Sequence, residues 1–548
     1  MRFRCPPEAE VSRHRRLCVK CFYSSRRHEH AQNGTDPPQP AVPAPLATIC
    51  AVWLAAGCAS GAAGLLALAA GIYLLLGRPA IDSLAVLPFA SIGSGPNTEY
   101  LSDGLAEQLI NSLSQFPQLR VIARTTAFTY KGKPIDLAKV AKELRVRAVL
   151  MGKVVERGDS LTVQVDLVRT QDGSELWGQQ FRRNASELQT VEEETARQVS
   201  DKLRVRLSGE EQERLAKHYT ENPEAYNLYL QGRYLLDEAA PEAFVKSRAY
   251  FEQAIAKDPN YALAHAGLAD SHTYAWIYEL EPHDRAIPKA REEALKATQT
   301  DSSAGEGHTS LGIIKLLYDW DWAGAEQELR RGGELSPNSP DARHWYAHYL
   351  ELTGRLPEAN ARMLEVLDTD PLSPMILEDV FQEYIWTHQW SRALEAFERL
   401  APLYPNDPMA IRWTPLLYER LGRHEDALAA LEKLRAAPRS LFLSEFVVFS
   451  LAKLGQRAEA EKVLASLKEA EKNEHPPDYA LLAYTRFALG DRDQGFAYLD
   501  QAYAARDQGI NRLELAYMNL VWWLEDSRHD PRFAALLKKI GSPAANIH

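Results

Sequence analysis

Apolar and small residues recur with a period of 34 along the second half of this chain. Prolines mark the end of successive periods at Pro337, Pro371 and Pro405. Alanines stand twelve residues before them, at Ala325, Ala359 and Ala393. A small residue is needed where two helices cross closely, and proline cannot continue a helix. The pattern predicts pairs of antiparallel helices that stack into a superhelix.

The period and its key positions are those of the tetratricopeptide repeat. Weaker copies extend it in both directions, with Phe251 in an upstream unit and Gly490 in a worn unit downstream. We therefore predict about eight repeats over 223–509. Residues 510–548 are predicted to form a helical cap, because the last repeat of such an array must be shielded from water. A generic helical bundle with coincidental spacing is the alternative.

Residues 81–207 follow a different pattern, in which short apolar runs alternate with segments of helical spacing. Strands are predicted at 83–89, 119–124, 147–157, 160–169 and 175–183. Helices are predicted to begin near residue 98, at 136–146 and at about 187–207. The run at 160–169 alternates apolar and polar residues, as expected for a strand with one buried face. The predicted fold class is an α/β domain with a mixed sheet and helices, followed by an all-α repeat superhelix.

A long uncharged stretch precedes both regions, with no charged residue between Asp36 and Arg78. Its apolar part predicts one transmembrane helix over 46–77, since a span needs about 20 apolar residues. A cleaved signal peptide, or a lipidated form at Cys58, is the alternative. The apolar run continues well beyond Cys58, which favours the spanning helix.

The orientation of the span follows from the segment before it. Residues 1–45 are predicted to be a disordered, Pro-rich tail, with eight Lys or Arg against four Asp or Glu. The positive-inside rule then places this tail in the cytoplasm and residues 78–548 in the periplasm of a bacterial inner membrane. The Gly57-x-x-x-Gly61 spacing would also allow two spans to form a homodimer.

Charge and cysteine usage limit the classes of partner and cofactor. The net charge is −11, and because the tail carries +4, the remainder carries −15. An acidic body argues against nucleic-acid binding, which needs a basic surface. All five cysteines lie at or before position 58, so the body forms no disulfide. Cys18 and Cys21, followed by His28 and His30, allow a zinc site in the tail. A disordered basic tail is the preferred interpretation, and no metal ligand is predicted in the chain.

Several runs carry a resemblance to a known bacterial family. They include AVLPF at 85–89, EYLSDGLAEQLINSLSQFPQLRVIARTTAFTYKGK at 99–133 and VLMGKVVERGDSLTVQVDLVRTQDGSELWGQQF at 149–181. This part resembles the TolB amino-terminal-like domain and is similar to FlgO and CsgG domains. The repeats resemble those that follow this domain in the same proteins, notably YDWDW at 318–322 and LDTDPLSP at 367–374. The ending DPRFAALL at 530–537 resembles the usual ending of the family.

The resemblance implies a membrane-anchored signalling architecture. In such proteins a cytoplasmic effector, often a CadC-type winged helix, an adenylate cyclase or a kinase, precedes the span. Residues 1–45 are too few for any of these domains. We therefore expect a periplasmic α/β domain and repeat scaffold for protein–protein interaction in signalling or envelope assembly. The alternative is a membrane-bound transcriptional regulator or adenylate cyclase whose effector is lost or encoded upstream.

The sequence contains no motif for catalysis or for a cofactor. It has no P-loop, no nucleophile elbow, no zinc-protease motif and no kinase catalytic loop. Gly93 and Gly95 follow a strand but lack the lysine and spacing of a phosphate loop. Asp103 and Glu107 share a helix face without a histidine beside them, as on a solvated face. We expect neither enzymatic activity nor a bound cofactor.

Binding of a protein or peptide is the remaining role. In tetratricopeptide superhelices, first-helix positions line a concave groove, and the resemblance transfers that role position by position. The predicted groove residues are His344, His348, Gln382, Trp386, Arg412 and Arg420. Their mixed charges and aromatic rings favour an amphipathic segment of a partner. Packing of His344, His348 and Trp386 between repeats is the alternative interpretation.

Overall fold

The computed structural model describes residues 81–92, 98–157, 160–184, 187–205, 207–236, 241–278, 280–405, 407–436, 443–471, 478–507 and 511–546. Residues 80–548 belong to one compact unit. The predicted tail (1–45) and membrane span (46–77) lie outside the described residues. None of the helices described in the ranges above is long and apolar enough to cross a membrane.

A mixed β-sheet forms the first part of the described chain, as predicted. Its strands are β1 (Ser83–Val86), β2 (Ala90–Ile92), β3 (Arg120–Val121), β4 (Ala148–Arg157), β5 (Ser160–Arg169) and β6 (Glu175–Asn184). The order across the sheet is β3-β1-β4-β5-β6, and β2 also pairs with β4. β1 is parallel to both β3 and β4, whereas β4, β5 and β6 form antiparallel hairpins. The alternation predicted for β5 is present, since Leu161, Val163 and Val165 are buried.

Helices cover this sheet and connect its strands. They are α1 (Thr98–Ser114), α2 (Arg124–Phe128), α3 (Leu137–Leu144), α4 (Leu188–Leu203) and α5 (Gly209–Leu215). α3 begins where the Asp136 carboxylate accepts hydrogen bonds from the backbone N–H groups of Ala138 and Lys139, at 3.0 and 3.2 Å. α1 buries Leu105 and Leu109 completely. The short helix α2 was not predicted.

Eight antiparallel helix pairs follow in the described part of the chain. They comprise α6 (Pro223–Leu236), α7 (Pro241–Lys257), α8 (Ala262–Ile277), α9 (His283–Thr300), α10 (Gly305–Ile314), α11 (Trp322–Leu335), α12 (Pro340–Leu352), α13 (Leu356–Thr369), α14 (Pro374–Trp386), α15 (Trp390–Leu400), α16 (Pro408–Ile411), α17 (Thr414–Arg420), α18 (His424–Arg435), α19 (Ser444–Lys453), α20 (Arg457–Glu471), α21 (Tyr479–Ala488) and α22 (Arg492–Ala504). The short α16 precedes the pair of α17 and α18. The predicted repeat architecture is confirmed.

Small residues at fixed positions explain why these helices pack closely. Ala325, Ala359 and Ala393 are fully buried, each on the second helix of its pair. The side chain of Phe251 on α7 is also fully buried and fills the space beside two glycines of α6 and α8, where an added Cβ would lie 2.6 Å from its ring. Close helix crossings therefore need small residues on one side and a large apolar residue on the other.

The proline pattern does not end every helix in the same way. Pro337 and Pro371 follow the last residues of α11 and α13 by two positions. α15, however, ends at Leu400, five residues before Pro405. Residues 401–404 form turns in which the N–H of Tyr404 donates to the carbonyl of Leu400 at 3.0 Å. The prediction that Pro405 closes this helix is wrong, because the helix has already ended in these turns.

The last residues of the chain contact helices from the middle of the array. Residues 511–546, here called the C-terminal segment, contain α23 (Asn511–Tyr517), α24 (Pro531–Lys539) and two short 3₁₀ turns. The guanidinium of Arg512 lies 4.8 and 4.7 Å from the rings of Tyr318 and Trp320. The indole N–H of Trp322 donates to the carbonyl of Ile540 at 3.1 Å. The YDWDW motif thus anchors the C-terminal segment.

The sheet and the helices that cover it, here called the sheet region, are hydrogen-bonded directly to the repeats. These hydrogen bonds are here called the joint. The side-chain amide of Asn338, between α11 and α12, donates to the carbonyls of Phe116 and Leu119 at 2.9 and 3.2 Å. The N–H of Thr126 donates to the Asp370 carboxylate at 3.0 Å, and the N–H of Ala123 donates to the Thr369 carbonyl at 2.9 Å. The joint therefore satisfies backbone groups of α2 with groups from the repeat loops.

Asp370 makes the stability of the joint sensitive to pH. Burial raises the pKa of Asp370 from 3.8 to about 6, although hydrogen bonds from Thr126 oppose the rise. A raised carboxyl pKa contributes stability that is complete below the unfolded value and is lost as pH rises through the folded value. We expect the free energy of unfolding of the wild type, relative to Asp370→Asn, to fall by about 3 kcal/mol between pH 3 and pH 7. Urea unfolding of both proteins across this range measures the difference.

Asp368, in the last turn of α13 and two residues before Asp370, supplies the matched control. Its side chain is 46% exposed and pairs with Arg120 at 3.4 Å. Asp368→Asn should therefore change the free energy of unfolding by at most about 1 kcal/mol. A constant difference between wild type and Asp370→Asn from pH 4 to pH 7 would contradict the assignment of this titration to Asp370.

Candidate functional site

The six residues predicted to line a groove occupy different environments in the structure. His344 and His348 lie on α12, Gln382 and Trp386 on α14, Arg412 between α16 and α17, and Arg420 at the end of α17. The side chains of His344, His348, Gln382 and Arg412 are buried. Trp386 is half-buried and Arg420 is exposed. The structure thus brings four of the six together in the interior of the repeats.

The helices α12 and α14, each the first helix of its repeat, begin in the same way, and this sets their common register. Ser339 caps α12 and Ser373 caps α14, and each is followed by a proline at the first helical position. Proline is favoured there because its backbone lacks the N–H that would be unsatisfied. His344 and Glu378 then occupy the same place on neighbouring helices, four residues after Pro340 and Pro374.

One half of the interior site is built around two histidines. His344 and His348 are four residues apart on α12, so they lie on the same helix face. Their Nε2 atoms are 3.0 Å apart, and His344 Nε2 is 2.7 Å from Asp379 Oδ2. His348 Nε2 is 3.8 Å from the same oxygen, and His348 Nδ1 is 2.6 Å from Glu351 Oε2. Three side-chain atoms from two repeats therefore converge on one point.

The other half is an ion pair with its hydrogen-bonded neighbours. Arg412 Nη2 lies 2.6 Å from Glu378 Oε1. The same guanidinium donates to Gln382 Oε1, which also accepts from the indole N–H of Trp413 at 3.1 Å. Glu383 accepts from the side-chain amide of Asn360 at 2.9 Å. We call the eight side chains of both halves the buried polar cluster: His344, His348, Glu351, Glu378, Asp379, Gln382, Glu383 and Arg412.

The acidity of these groups reflects burial and their proximity to one another. Burial opposes a charge on His348, but Glu351 and then Asp379 raise its pKa to about 9. Burial would also raise the pKa of Asp379, yet the hydrogen bond from His344 and the charge of that histidine hold it below its usual value. Burial raises the pKa of Glu383, and the carboxylate of Glu351 raises it further. The cluster thus favours a cation near its histidines.

The C-terminal segment covers this cluster. The ring of Tyr517 lies 6.4 Å from that of His348, and Glu525 Oε2 lies 3.5 Å from His388 Nε2, just beyond α14. Burial raises the pKa of the Tyr517 hydroxyl, and the carboxylates of Glu351 and Asp379 raise it further. His348 is therefore buried beside Tyr517. The observed contacts match the alternative of packing between repeats, and partner binding by the six residues stays a prediction.

Asp379 and Glu383 belong to the cluster but were not among the predicted residues. On α14 the groove positions were assigned to Gln382 and Trp386, and Asp379 and Glu383 were left out. The signal that could have identified the site is the spacing of His344 and His348, since two histidines one turn apart on a helix form a known metal-binding pattern. No feature of the local sequence pairs Asp379 with them, because it lies on the next repeat.

A second candidate site is an open cleft of ≈ 680 Å³ between the sheet region and the repeats. Its lining includes Arg120, Arg145 and Arg147 from the sheet region and Leu364 from α13. Arg120 donates to the carbonyls of Leu144 and Asp368 at 3.2 and 2.8 Å, so it joins both walls. The side chains of Arg145 and Arg147 are exposed. The lining also includes Arg343 and the carboxylates of Asp82, Glu365 and Asp368, and Asp82 pairs with Arg147 at 3.3 Å. The cleft therefore carries mixed charge with a small excess of arginine.

A family model matches the sheet region. Residues 80–200 match the model described as HilA/YgeH-like transcriptional regulator, second domain. The match covers the sheet and its helices rather than the repeats. The resemblance to the TolB amino-terminal-like domain is not what this model names, and it stays a prediction.

Curated relatives are named as an adenylate cyclase and as a transcriptional regulator. The chain is 32% identical over 239 residues to "Putative adenylate cyclase 3" of Rhizobium meliloti, which covers 43% of this chain and 40% of that protein. It is 22% identical over 299 residues to the transcriptional regulator HilA of Salmonella typhimurium, which covers 54% of this chain and 52% of HilA. The chain spans about half the length, or less, of these relatives.

Solved structures with a similar arrangement include human IFIT1 and a Pseudomonas aeruginosa protein. A human IFIT1 dimer with m7Gppp-AAAA is 15% identical, with a TM-score of 0.38, and covers 57% of this chain and 77% of its own. PilF of Pseudomonas aeruginosa is 18% identical, with a TM-score of 0.31, and covers 38% of this chain and 93% of its own. At these scores the two structures say nothing about the ligands of this chain.

Proposed function

We propose that this chain is a non-catalytic regulatory module. In it a repeat scaffold binds a protein partner, and the α/β domain, which the joint holds to the repeats, transmits the effect of binding. The observation that carries the proposal is the joint. Asn338 and Asp370 are buried, and both hydrogen-bond to backbone groups of the sheet region. A protein partner bound at the repeats would therefore act on the sheet region without an intervening hinge.

The cleft is the surface that best fits such a partner. It lies at the meeting point of two structural parts, where binding sites are common. Arg145 ends α3 in a left-handed backbone conformation, with φ 52°, and its side chain is exposed. Leu364 adds an apolar contact that is 37% exposed. We propose that a partner segment carrying carboxylates binds there, because arginine pairs well with carboxylates in two-point contacts.

The relatives support a role in signal reception. One is named as an adenylate cyclase and the other as a transcriptional regulator, so their outputs differ although both share similarity with this chain. A module that is shared by proteins with different activities is better explained as a part that receives a signal than as a catalyst. The buried polar cluster agrees with this, because its acidic and basic groups are covered by the C-terminal segment.

We also propose that residues 46–77 anchor the module in a bacterial inner membrane, with residues 78–548 in the periplasm. The support is the uncharged stretch between Asp36 and Arg78 and the basic tail before it. Fusion of alkaline phosphatase after His548 should give an active reporter, since this enzyme is active only outside the cytoplasm. An inactive phosphatase together with an active cytoplasmic reporter at the same position would reverse the orientation.

A photocrosslinker placed in the cleft tests partner binding directly. Benzoyl-phenylalanine at Leu364 should give a defined protein adduct in cells. The matched control is Leu428 on α18, a second-helix leucine that is 40% exposed and lies outside the cleft lining. It should give no such adduct.

A charge reversal shows whether the arginines hold the partner. Arg145→Glu should lower the yield of the Leu364 adduct about tenfold, which corresponds to about 1.4 kcal/mol of binding free energy. Adducts of equal yield at Leu364 and Leu428, or a yield at Leu364 that Arg145→Glu does not change, would contradict binding in the cleft.

A further inference from the structure

Two histidines and one carboxylate in the buried polar cluster have the arrangement of a metal site. Among the described residues, His344, His348 and Asp379 form a group whose ligand atoms all lie within 4.8 Å of one another. The three distances between the Nε2, Nε2 and Oδ2 atoms are 2.7, 3.0 and 3.8 Å. We propose that a divalent transition-metal ion that prefers imidazole, here Zn²⁺, binds between His344, His348 and Asp379.

The distances are close to those that zinc requires. Zinc lies about 2.0–2.2 Å from histidine nitrogen and carboxylate oxygen, so two of its tetrahedral ligands are about 3.4 Å apart. The observed separations lie on both sides of this value, and shifts of about half an ångström within the side chains would equalise them. Backbone movement of α12 or α14 is not needed.

A neighbouring carboxylate orients His348 to act as a ligand. Glu351 is fully buried and lies 2.6 Å from His348 Nδ1. A carboxylate in this place accepts a hydrogen bond from Nδ1–H and leaves the lone pair of Nε2 directed at the metal, as in many zinc sites. His344 and His348 are one helical turn apart, which is the spacing that lets one helix supply two ligands.

The ligand chemistry selects the class of metal. Mg²⁺ and Ca²⁺ prefer six or more oxygen ligands, and two imidazoles do not supply them. Imidazole suits zinc and its transition-metal neighbours.

Because the ligands come from α12 and α14, a bound metal would fasten one repeat to the next. Because His348 contacts Tyr517, the metal would also stabilise the surface on which the C-terminal segment packs. The inferred role of the metal is structural, and it adds a cofactor to a protein in which none was predicted. It does not depend on the cleft or on the identity of a partner.

The test uses the full chain with Cys18→Ser and Cys21→Ser, so that thiolates in the tail cannot hold the ion. After treatment with a chelator, the protein is titrated with Zn²⁺ and its metal content is measured after dialysis. One zinc per chain is expected, together with a rise in the unfolding temperature. Co²⁺ in place of Zn²⁺ should give visible absorption bands typical of nitrogen and oxygen ligands.

Variants of the ligands distinguish this site from others. Asp379→Asn and His344→Gln should each weaken zinc binding by at least about 100-fold, and Glu351→Gln by about 10- to 100-fold. The control is His265→Gln, since His265 is equally buried and contacts the carboxylate of Glu293 but has no second histidine beside it. It should bind zinc like the parent.

Two results would overturn the proposal. The first is a parent protein that retains no zinc and shows no Co²⁺ bands. The second is a folded His344→Gln variant, judged by circular dichroism, with the affinity and stoichiometry of the parent. If a ligand variant fails to fold, the Co²⁺ spectrum of the parent still decides, because bands without nitrogen ligation would contradict histidine binding.

Discussion

Arg412→Leu is expected to lower the free energy of unfolding by about 3–5 kcal/mol at neutral pH, because it leaves a buried carboxylate without its cation. Arg412 Nη2 lies 2.6 Å from Glu378, and the two side chains are 9% and 12% exposed. Burial raises the pKa of Glu378 and the charge of Arg412 opposes the rise, so without Arg412 the carboxyl takes up a proton more readily. The loss should therefore be larger at pH 9, where the wild-type carboxyl is ionised, than at pH 6. Urea unfolding followed by circular dichroism at both pH values measures the difference.

The double variant Arg412→Leu/Glu378→Met is the control for this prediction. Replacing both members of a buried ion pair by apolar residues is often neutral, or stabilising by about 1–4 kcal/mol. The double variant should therefore recover most of the stability that the single variant loses. If the double variant is as unstable as Arg412→Leu, the loss comes instead from the packing of Arg412 against Trp413 and Phe446.

Phe251→Ala is expected to destabilise the first repeats by about 3–5 kcal/mol, the usual cost of removing a fully buried aromatic side chain. The ring is 0% exposed and lies 6.0 Å from that of Tyr229. It fills the space beside Gly232 and Gly267. Neither glycine has a side chain that could move into the cavity, so little of the loss can be recovered. The free energy of unfolding in urea measures the effect.

Val245→Ala on the same helix is the matched control. Val245 is 49% exposed on α7, so its truncation should change the free energy of unfolding by less than about 0.5 kcal/mol. Equal losses for Phe251→Ala and Val245→Ala would contradict the assignment of the loss to the cavity, because alanine does not lower the helix propensity of α7. A loss below about 1 kcal/mol for Phe251→Ala would mean that α6 and α8 collapse onto the vacated space.

The architecture was predictable because its signals are local and repeated. Helical spacing recurs every 34 residues, and alanine at the crossing points reports the close packing of each pair. The strands from β4 to β6 were predictable from alternation and from their turns. β2 (Ala90–Ile92) was missed because its three residues are exposed and lack an apolar pattern. α2 (Arg124–Phe128) was missed because one helical turn has no periodicity to detect.

The candidate site was only partly predictable, for a physical reason. Positions such as His344 and Gln382 were identified because one repeat predicts the place of its equivalents in the next. Their environment was not, since it depends on residues that are distant in sequence. Tyr517 covers His348 from 169 residues away (517 − 348). The joint could not be predicted for the same reason. Asn338 and Asp370 are distant in sequence from the residues that they contact, and nothing in the loop sequence indicates a contact with the sheet region.

The anchoring of the C-terminal segment on the YDWDW motif affects the order in which the protein can fold during synthesis. In an open array each repeat depends on its neighbours, so structure can propagate as the chain emerges. Here the indole N–H of Trp322 bonds to the carbonyl of Ile540, 218 residues later. The part of the 318–322 surface that contacts Arg512 and Ile540 thus stays uncovered until these residues have been synthesised, and a message truncated before residue 511 yields repeats that expose it.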